Sequence, residues 1–389
     1  MDGNEKQEVT LNEKLVRVVQ FLLRLLSVFI PVNRNRVAFI RRSYSGSNIT
    51  PVVDWLHTHH PEIDILLLDS SPSGQLAGAG NWLYRGKQYL SLLKCRVIVT
   101  SHGPFVKTKK NVTIELWHAF PTKKESALFN RRARQRIKRI NRMTDQFISY
   151  SDFASLLYNS RYHIPSSKYI ALGAPRNDYL FSSIPDPYHK EYKKVILYAP
   201  TFRESYDNAK PLKIDFWLKG FRGNEFHKFL VEHGYLLIWK LHPNEEKRWA
   251  NFDQSEFPSN LVTLTDKKLR DMGVDFYQLL SLTDTLVTDY SSIYADYLLL
   301  DRPMVFVPAD EEIYNEQRGL LLNPYDVWMP GPKCRDQEQL QDEISRSLED
   351  TAYFQHERQF LRGVFHRFMD GKSTERVANF ILSRLENQS

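Results

Sequence analysis

Short, nearly uninterrupted runs of apolar residues recur along the chain, and polar or turn-forming residues bound each run. In the first half of the chain these runs cover residues 37–40, 63–68, 96–100, 113–117 and 146–149. A second series covers residues 194–198, 235–241, 261–264, 285–288 and 304–307. Continuous apolar runs of this length are typical of strands buried on both faces. Because helical segments separate the runs, the pattern predicts an α/β fold with two doubly wound, Rossmann-type parallel sheets facing a cleft.

The proline-containing stretch at residues 183–187 separates the two series of runs. It predicts a first domain over residues 36–185 and a second over residues 186–368. Residues 369–389 begin with good helix-capping chemistry and predict a closing helix, for which we consider packing back on the first domain.

The amino-terminal segment, residues 1–35, contains an apolar stretch at 11–30 that carries Lys14, Arg17 and Arg24. Arg24 interrupts the apolar run, so the consecutive apolar residues are fewer than the ~20 that a membrane-spanning helix needs. The pattern therefore favours a basic amphipathic helix that lies in the headgroup layer of a membrane. The alternative is a helix packed on the protein's own core.

The chain of 389 residues carries a formal net charge of +7, which indicates an anionic partner. A dense basic run at residues 131–142 lacks an aromatic stacking platform, so it favours anionic lipid or a phosphorylated acceptor over nucleic acid. A solvated helix face is the alternative. The cysteines, Cys95 and Cys334, stand far apart and predict neither a disulfide nor a zinc site, which fits a reducing cytoplasm.

Two histidines follow predicted strands, His118 in the first series and His242 in the second. Ligands of doubly wound sheets bind beyond the carboxyl ends of the strands, so both side chains are candidates for catalysis. A neutral His118 would take the proton from an attacking hydroxyl, and His242 would act as a cation or proton donor toward a departing phosphate. Purely structural hydrogen bonding remains the alternative for each.

Polar residues beyond the strands of the second series are candidates for donor binding. Ser291 and Ser292 begin a predicted helix, where amides and hydroxyls bind phosphate, although an ordinary serine cap is the alternative. Asp289 is interpreted as shaping this loop rather than binding a metal. Arg203 would grip two phosphate oxygens or form an interdomain salt bridge. The full donor-side set is Thr201, Arg203, Lys240, Thr288, Asp289, Ser291, Ser292 and Arg318.

Candidates for acceptor or phosphate binding come from the first domain. Lys123 and Lys124 would offset phosphate charge or remain solvated. Arg176, Asn177 and Asp178 form either a ligand loop or a turn that positions the crossover between domains. The chain has no P-loop, no Gly-x-Gly-x-x-Gly fingerprint and no Asp-x-Asp motif in a phosphate-metal context, so we expect neither a metal nor another cofactor.

Several motifs in a fixed order resemble the CDP-glycerol glycerophosphotransferase family of wall teichoic acid and capsule synthesis. They are WHAFPTKK, GAPRND, ILYAPTFR, KLHPN, DTLVTDYSSIYADYLLLDRP, QRGL, PGP and DGKSTERV, from Trp117 to the carboxyl terminus. The resemblance implies a GT-B architecture, an acceptor-side first domain, a second domain that holds a CDP-polyol, and peripheral attachment to the cytoplasmic face of the membrane.

The resemblance also assigns residues. His118 matches the histidine of the family's Trp-His-Gly-Thr-Pro block, and His242 matches that of its Lys-Leu-His-Pro block. Ser291 and Ser292 match the phosphate loop, while Arg203 and Arg318 match basic positions. Around the acceptor-side histidine the chain departs from the pattern, with Ala119, Phe120 and Thr122 in place of Gly, Thr and Leu.

The function expected from this resemblance is transfer of glycerol phosphate from CDP-glycerol to a lipid-linked saccharide acceptor, with release of CMP. The chain is short for this family, which favours a primase over a processive polymerase. The alternatives are transfer of ribitol phosphate from CDP-ribitol, a GT-B glycosyltransferase that uses a nucleotide sugar, and a non-catalytic membrane scaffold that binds polyanions.

Overall fold

The computed structural model describes residues 21–22, 25, 27–42, 45–70, 82–104, 106–124, 131–201, 214–240 and 259–386. The predicted amphipathic helix at residues 11–30 lies mostly outside this part. Part of this segment is described. The helical residues are Phe21, Leu22 and Leu25, and all three are exposed. In the turn that follows, the side chains of Val28 and Phe29 are also exposed. Among the described residues, no helix has the length and apolar character needed to cross a membrane.

Within the described residues, six parallel strands form the first sheet in the order β2-β1-β3-β4-β5-β6. They are β1 (Asn33–Arg41), β2 (Asp64–Asp69), β3 (Cys95–Thr100), β4 (Val112–Glu115), β5 (Gln146–Ser149) and β6 (Tyr169–Ala171). The helices of this half are α1 (Thr50–His59), α2 (Trp82–Leu93), α3 (Arg131–Met143) and α4 (Asp152–Tyr162), with 3₁₀ turns at Ser166–Lys168 and Pro175–Phe181.

Both faces of the first sheet are covered at its central strand β1, which explains the unbroken apolar run at residues 37–40. Val37 and Phe39 of β1 belong to a core that includes residues of α1, whereas Ala38 and Ile40 belong to a core that includes residues of α2. Successive side chains of a strand point to opposite faces, so burial on both sides requires an unbroken apolar run.

The second sheet has five parallel strands among the described residues, in the order β11-β10-β7-β8-β9. They are β7 (Lys194–Tyr198), β8 (Tyr235–Lys240), β9 (Leu261–Leu264), β10 (Thr285–Thr288) and β11 (Met304–Phe306). The helices are α5 (Gly223–His233), α6 (Asp266–Met272), α7 (Phe276–Leu280), α8 (Ile293–Tyr297), α9 (Glu311–Gln317), α10 (Tyr325–Trp328), α11 (Gln337–Glu349), α12 (Gln355–Phe365) and α13 (Ser373–Glu386), with a 3₁₀ turn at Leu298–Leu300. The prediction of an α/β fold with two parallel sheets is confirmed.

The last two helices return to the first half of the chain. Val377, Ala378 and Ile381 of α13 join the same core as Val37 and Phe39. The residues around α12 also contact the start of α4, where the Ser151 hydroxyl donates to the Val364 carbonyl at 3.1 Å. The two sheets are therefore joined by the returning chain as well as by the connection near residue 185.

Several strand boundaries differ from those of the apolar runs, most by a single residue, and one strand was not predicted. β1 begins at Asn33, before the predicted domain start at residue 36, because Asn33 already pairs with Cys95 of β3. β4 ends at Glu115, since Trp117 adopts a positive φ of 51° that leaves the extended conformation. The three-residue strand β6 has no counterpart among the predicted strands.

Candidate active site

A cleft of about 270 Å³ lies where the loops beyond the two sheets meet. Its volume is close to the lower end of the range for small-molecule pockets, roughly 300–1,000 Å³. The first half contributes His102, His118 and Arg176, and the second half contributes Lys240, Ser291 and Ser292 among others. The predicted acceptor-side histidine and the predicted phosphate loop therefore border the same space.

His118 is held by a sharp turn after β4. Trp117 packs against Phe147 and Tyr162, with ring centroids 6.1 and 4.8 Å away, and its positive φ redirects the chain after the strand. The Nδ1 atom of His118 lies 3.1 Å from the carbonyl oxygen of Ser101. A carbonyl only accepts hydrogen bonds, so Nδ1 carries a proton and the neutral ring keeps its lone pair on Nε2.

A buried carboxylate beneath this turn joins the loops after β3 and β4. Glu115 accepts hydrogen bonds from the Thr100 hydroxyl at 2.6 Å, the Gly103 amide at 2.9 Å and the Trp117 amide at 3.0 Å. Burial raises the pKa of Glu115 to about 7, against the opposing effect of these three bonds. The sequence analysis did not single out Glu115, although an acidic residue inside an apolar run is a usable signal.

His102 is a second histidine of the cleft, and it too was absent from the predicted site. Its ring stacks on that of His118, with centroids 4.0 Å apart and an interplanar angle of 4°. The rule that selected His118 also applies to His102, because Ser101-His102-Gly103 follows the apolar run at residues 96–100 directly.

On the second sheet, Thr288 and Asp289 shape the loops. The Thr288 hydroxyl donates to the Ala199 carbonyl at 2.7 Å, and Asp289 Oδ1 accepts from the amides of Thr201 at 2.7 Å and Ser291 at 3.2 Å. Both side chains are buried. These bonds hold the ends of β7 and β10 together and leave Ser291 and Ser292 along the cleft.

The helix after this loop, α8, has only five residues before a 3₁₀ turn. Ser292 makes no side-chain capping bond at its start. A phosphate group in this loop would therefore meet local hydroxyls and amides rather than the end of a long helix.

The lysines occupy different positions. Lys240 lines the cleft, and its Nζ donates to Asp266 Oδ1 at 3.0 Å. Lys123 Nζ lies 3.4 Å from the Thr201 hydroxyl, which brings two predicted ligands from different domains together. Lys124 is exposed, and its amide donates to the Gly319 carbonyl at 3.0 Å. Arg318 is half-buried at the end of α9.

Arg176 forms an ion pair between the two halves of the protein. Its Nη2 donates to Asp296 Oδ2 at 2.7 Å and to the Tyr150 hydroxyl at 3.0 Å, and its Nη1 donates to the His118 carbonyl. The side chains of Arg176 and Asp296 are 7% and 1% exposed. The guanidinium of Arg176 supports the His118 turn and also borders the cleft, and its contact with a phosphate stays a prediction.

The two residues after Arg176 form hydrogen bonds within the protein. Asp178 accepts hydrogen bonds from the amides of Ser373 at 2.9 Å and Thr374 at 2.6 Å, so it caps α13. Asn177 is buried in the 3₁₀ turn, and its amide donates to the Ala174 carbonyl. The Asp178 contacts fit the alternative in which the motif positions the crossover, and ligand binding by the motif stays a prediction. The predicted residues His242 and Arg203 lie outside the described part of the chain.

Two parallel α/β sheets whose loops border a shared cleft are the architecture of GT-B-like proteins. The family model described as CDP-glycerol:poly(glycerophosphate) glycerophosphotransferase matches residues 22–383. The chain therefore belongs to this family, and the resemblance seen in its motifs is confirmed.

Curated relatives and solved structures agree with this assignment. The chain is 29% identical over 388 residues to a teichoic acid ribitol-phosphate primase of Bacillus spizizenii, covering 93% of this chain and 94% of the relative. It is 26% identical over 338 residues to a teichoic acid glycerol-phosphate primase of Bacillus subtilis, covering 82% and 80%. The fold is similar to that of the wall teichoic acid polymerase TagF, with a TM-score of 0.77, 18% identity, and coverage of 96% and 94%.

Proposed function

We propose that the protein transfers glycerol phosphate from CDP-glycerol to a membrane lipid-linked acceptor in teichoic acid or capsule synthesis and releases CMP. The observation that carries this proposal is the cleft in which His118 of the first sheet shares one space with Lys240, Ser291 and Ser292 of the second. Membership of the family supports the CDP-activated donor.

The proposed reaction is a phosphoryl-group transfer. His118 Nε2 takes the proton of an acceptor hydroxyl while that oxygen forms a bond to the β-phosphorus of the donor. The bond between this phosphorus and the bridging oxygen of the diphosphate breaks, and CMP leaves with the bonding electrons. The hydrogen bond from His118 Nδ1 to the Ser101 carbonyl supports this assignment, because it keeps Nε2 as the basic atom.

The negative charge that develops on CMP requires cations and hydrogen-bond donors. Lys240 and the hydroxyls of Ser291 and Ser292 line the cleft and are proposed to serve this purpose. From the family motifs we propose that Arg203 and His242 complete the set.

The first test is release of CMP from CDP-glycerol, with CDP-ribitol and a UDP-sugar in parallel and a lipid-linked disaccharide as acceptor. Turnover of CDP-glycerol is the expected result. Turnover of the UDP-sugar alone would favour a glycosyltransferase. If no donor reacts with an acceptor that a known relative uses, the proposed activity is wrong.

Replacement of His118 by alanine should leave donor binding intact and lower turnover by about 10²–10⁴-fold, the usual contribution of a general base. Donor binding is measured by calorimetry and turnover by CMP release. His57→Ala, at an exposed position of α1, is the control and should behave as the wild type. Wild-type turnover by His118→Ala would rule out His118 as the base.

Ribitol phosphate is the second candidate for the transferred unit. The observation in its favour is the similarity over nearly the whole chain to a ribitol-phosphate primase. The two primase relatives also support addition of few units over long polymerisation. The ratio of kcat/KM for CDP-glycerol and CDP-ribitol decides between the two polyols.

We further propose peripheral attachment to the cytoplasmic face of the membrane. Phe29 is 84% exposed and Val28 is 68% exposed, beside the exposed helical residues Phe21, Leu22 and Leu25. Lys138, Arg139 and Arg142 of α3 are basic residues near or at the surface that would attract anionic lipid, at about 1 kcal/mol each.

Glutamate at both Val28 and Phe29 should weaken co-sedimentation with vesicles of anionic phospholipid by tenfold or more, roughly the loss expected when two apolar side chains no longer insert. Val327→Glu, at a 63% exposed position of α10, is the matched control and should bind as the wild type. Equal binding by all three proteins would contradict attachment through this segment.

A further inference from the structure

The two stacked histidines of the cleft have a geometry that affects proton binding. The rings of His102 and His118 are nearly parallel, with centroids 4.0 Å apart. His102 Nδ1 lies 2.9 Å from the Ser101 hydroxyl, and His118 Nδ1 lies 3.1 Å from the Ser101 carbonyl. One residue therefore orients both imidazoles, and both rings border the cleft.

Stacking at this distance favours the state of the pair in which one ring is protonated, and it disfavours the state in which both rings are protonated. An imidazolium over the face of a neutral aromatic ring is attracted by the ring's electrons. Two imidazolium ions about 4 Å apart repel each other, and the repulsion is stronger in a partly enclosed cleft than in water. Groups that interact so closely titrate in separate steps that belong to the pair.

We propose that His102 is a positioning residue for His118, and that the stacked pair holds one proton, which goes first to His102, over a range of pH in which His118 stays neutral. The consequence for turnover rests on the proposed role of His118 as a base. The sharing of the proton is a property of the free protein and does not depend on that role.

The surrounding charged groups support this order of protonation. The guanidinium of Arg176 donates to the carbonyl of His118, so a fixed positive charge lies close to His118. Arg176 is paired with Asp296.

Two further charged groups lie near the pair in the part of the chain that the structure describes. Across the cleft, Lys240 is paired with Asp266. Glu115 accepts from the backbone amides of both Gly103 and Trp117, the neighbours of the two histidines. Because burial raises its pKa to about 7, it takes up a proton itself as the medium becomes acidic.

In the proposed reaction this arrangement extends the activity to lower pH. When the medium becomes mildly acidic, the first proton is taken up by His102, and the repulsion then resists protonation of His118. At higher pH both rings are neutral, and the ring of His102 offers its face to the imidazolium that forms when His118 accepts the proton of the acceptor.

The test is an NMR titration of the histidine C2 protons in the wild type, His102→Phe and His102→Gln. The phenylalanine variant keeps a ring against His118, and the glutamine variant keeps a polar group near Ser101, but neither can be protonated. In both variants we expect the titration midpoint of His118 to rise by about one pH unit or more. An unchanged midpoint in both folded variants would overturn the proposal. His57→Phe makes the same kind of change on the exposed face of α1 and should leave the His118 signal unaltered.

The kinetic counterpart is the pH profile of kcat/KM for CMP release. We expect its acid limb to move to higher pH in both His102 variants by the same amount as the NMR midpoint. A shift by NMR with an unmoved acid limb would overturn the role of His102 in turnover. If the wild type releases no CMP from either CDP-polyol, the proposed function fails, and the NMR titration still decides whether the pair shares one proton.

Discussion

Glu115 shows how much a single buried residue contributes to the site. Its carboxylate accepts from Thr100 at the end of β3, from Gly103 in the loop after β3, and from Trp117 in the loop after β4. Those two loops carry His102 and His118. Within the sequence, Glu115 is one polar position in an apolar run, and nothing local shows that three donors converge on it.

The raised pKa of Glu115 predicts a specific dependence of stability on pH. Burial moves this pKa from 4.5 to about 7, so the native protein keeps a proton that the unfolded chain releases. The free energy of unfolding therefore falls as the pH rises from about 4.5 to 7, by on the order of 3 kcal/mol from this group. Glu115→Gln should lose this dependence in urea titrations across that range. The control Glu232→Gln, at an exposed position of α5, should keep it. Parallel curves for wild type and Glu115→Gln would contradict the prediction.

At the scale of elements, the motif Arg176-Asn177-Asp178 connects the first sheet to the last helix. Asp178 accepts from two amides at the start of α13, and this helix fills one face of the first sheet. The sequence analysis left open whether the motif binds a ligand or positions the crossover, because the cap joins residues that are far apart in the chain.

Asp178→Ala should lower the free energy of unfolding by about 1–2 kcal/mol through loss of the cap. The KM for the donor should not change, because Asp178 is bonded to the helix rather than to the cleft. Asp336→Ala removes the side-chain cap of α11 and provides a matched control of helix capping in the second half. A large rise in KM with unchanged stability would instead favour a ligand-binding role for Asp178.

At the scale of the whole molecule, Arg176 and Asp296 couple the two sheets. The pair is buried, and Tyr277 also donates to Asp296 Oδ2 at 2.7 Å. The loop after β1 adds a second link, since the Gly46 amide donates to Asp275 Oδ2 at 2.8 Å. The position of His118 relative to the second sheet therefore depends on contacts that cross the cleft.

Arg176→Met should destabilise the protein by about 3–5 kcal/mol, because it leaves the Asp296 carboxylate buried without its partner. The double variant Arg176→Met/Asp296→Leu should recover part of this loss, since no unpaired charge remains. Urea denaturation measures both. Lys267→Ala breaks the exposed pair with Asp271 and should cost less than about 1 kcal/mol. No recovery in the double variant would show that the ion pair is not the cause.

The sequence by itself determined the two series of buried strands, because burial on both faces demands runs of apolar residues that can be recognised without a structure. It also determined the family, through motifs whose order is preserved from Trp117 onward. It did not reveal the short strand β6 or the exact end of β4, which depend on pairing and on one positive φ.

Only the tertiary structure decided which polar residues of these motifs border the cleft and which hold the fold together. His102 stacks on His118, Arg176 pairs with Asp296, and Asp178 caps α13. Each of these contacts joins residues from separate strands or domains. The local pattern of a sequence records the type of each residue, but the partner that a charged or polar side chain finds is set by how the two sheets pack.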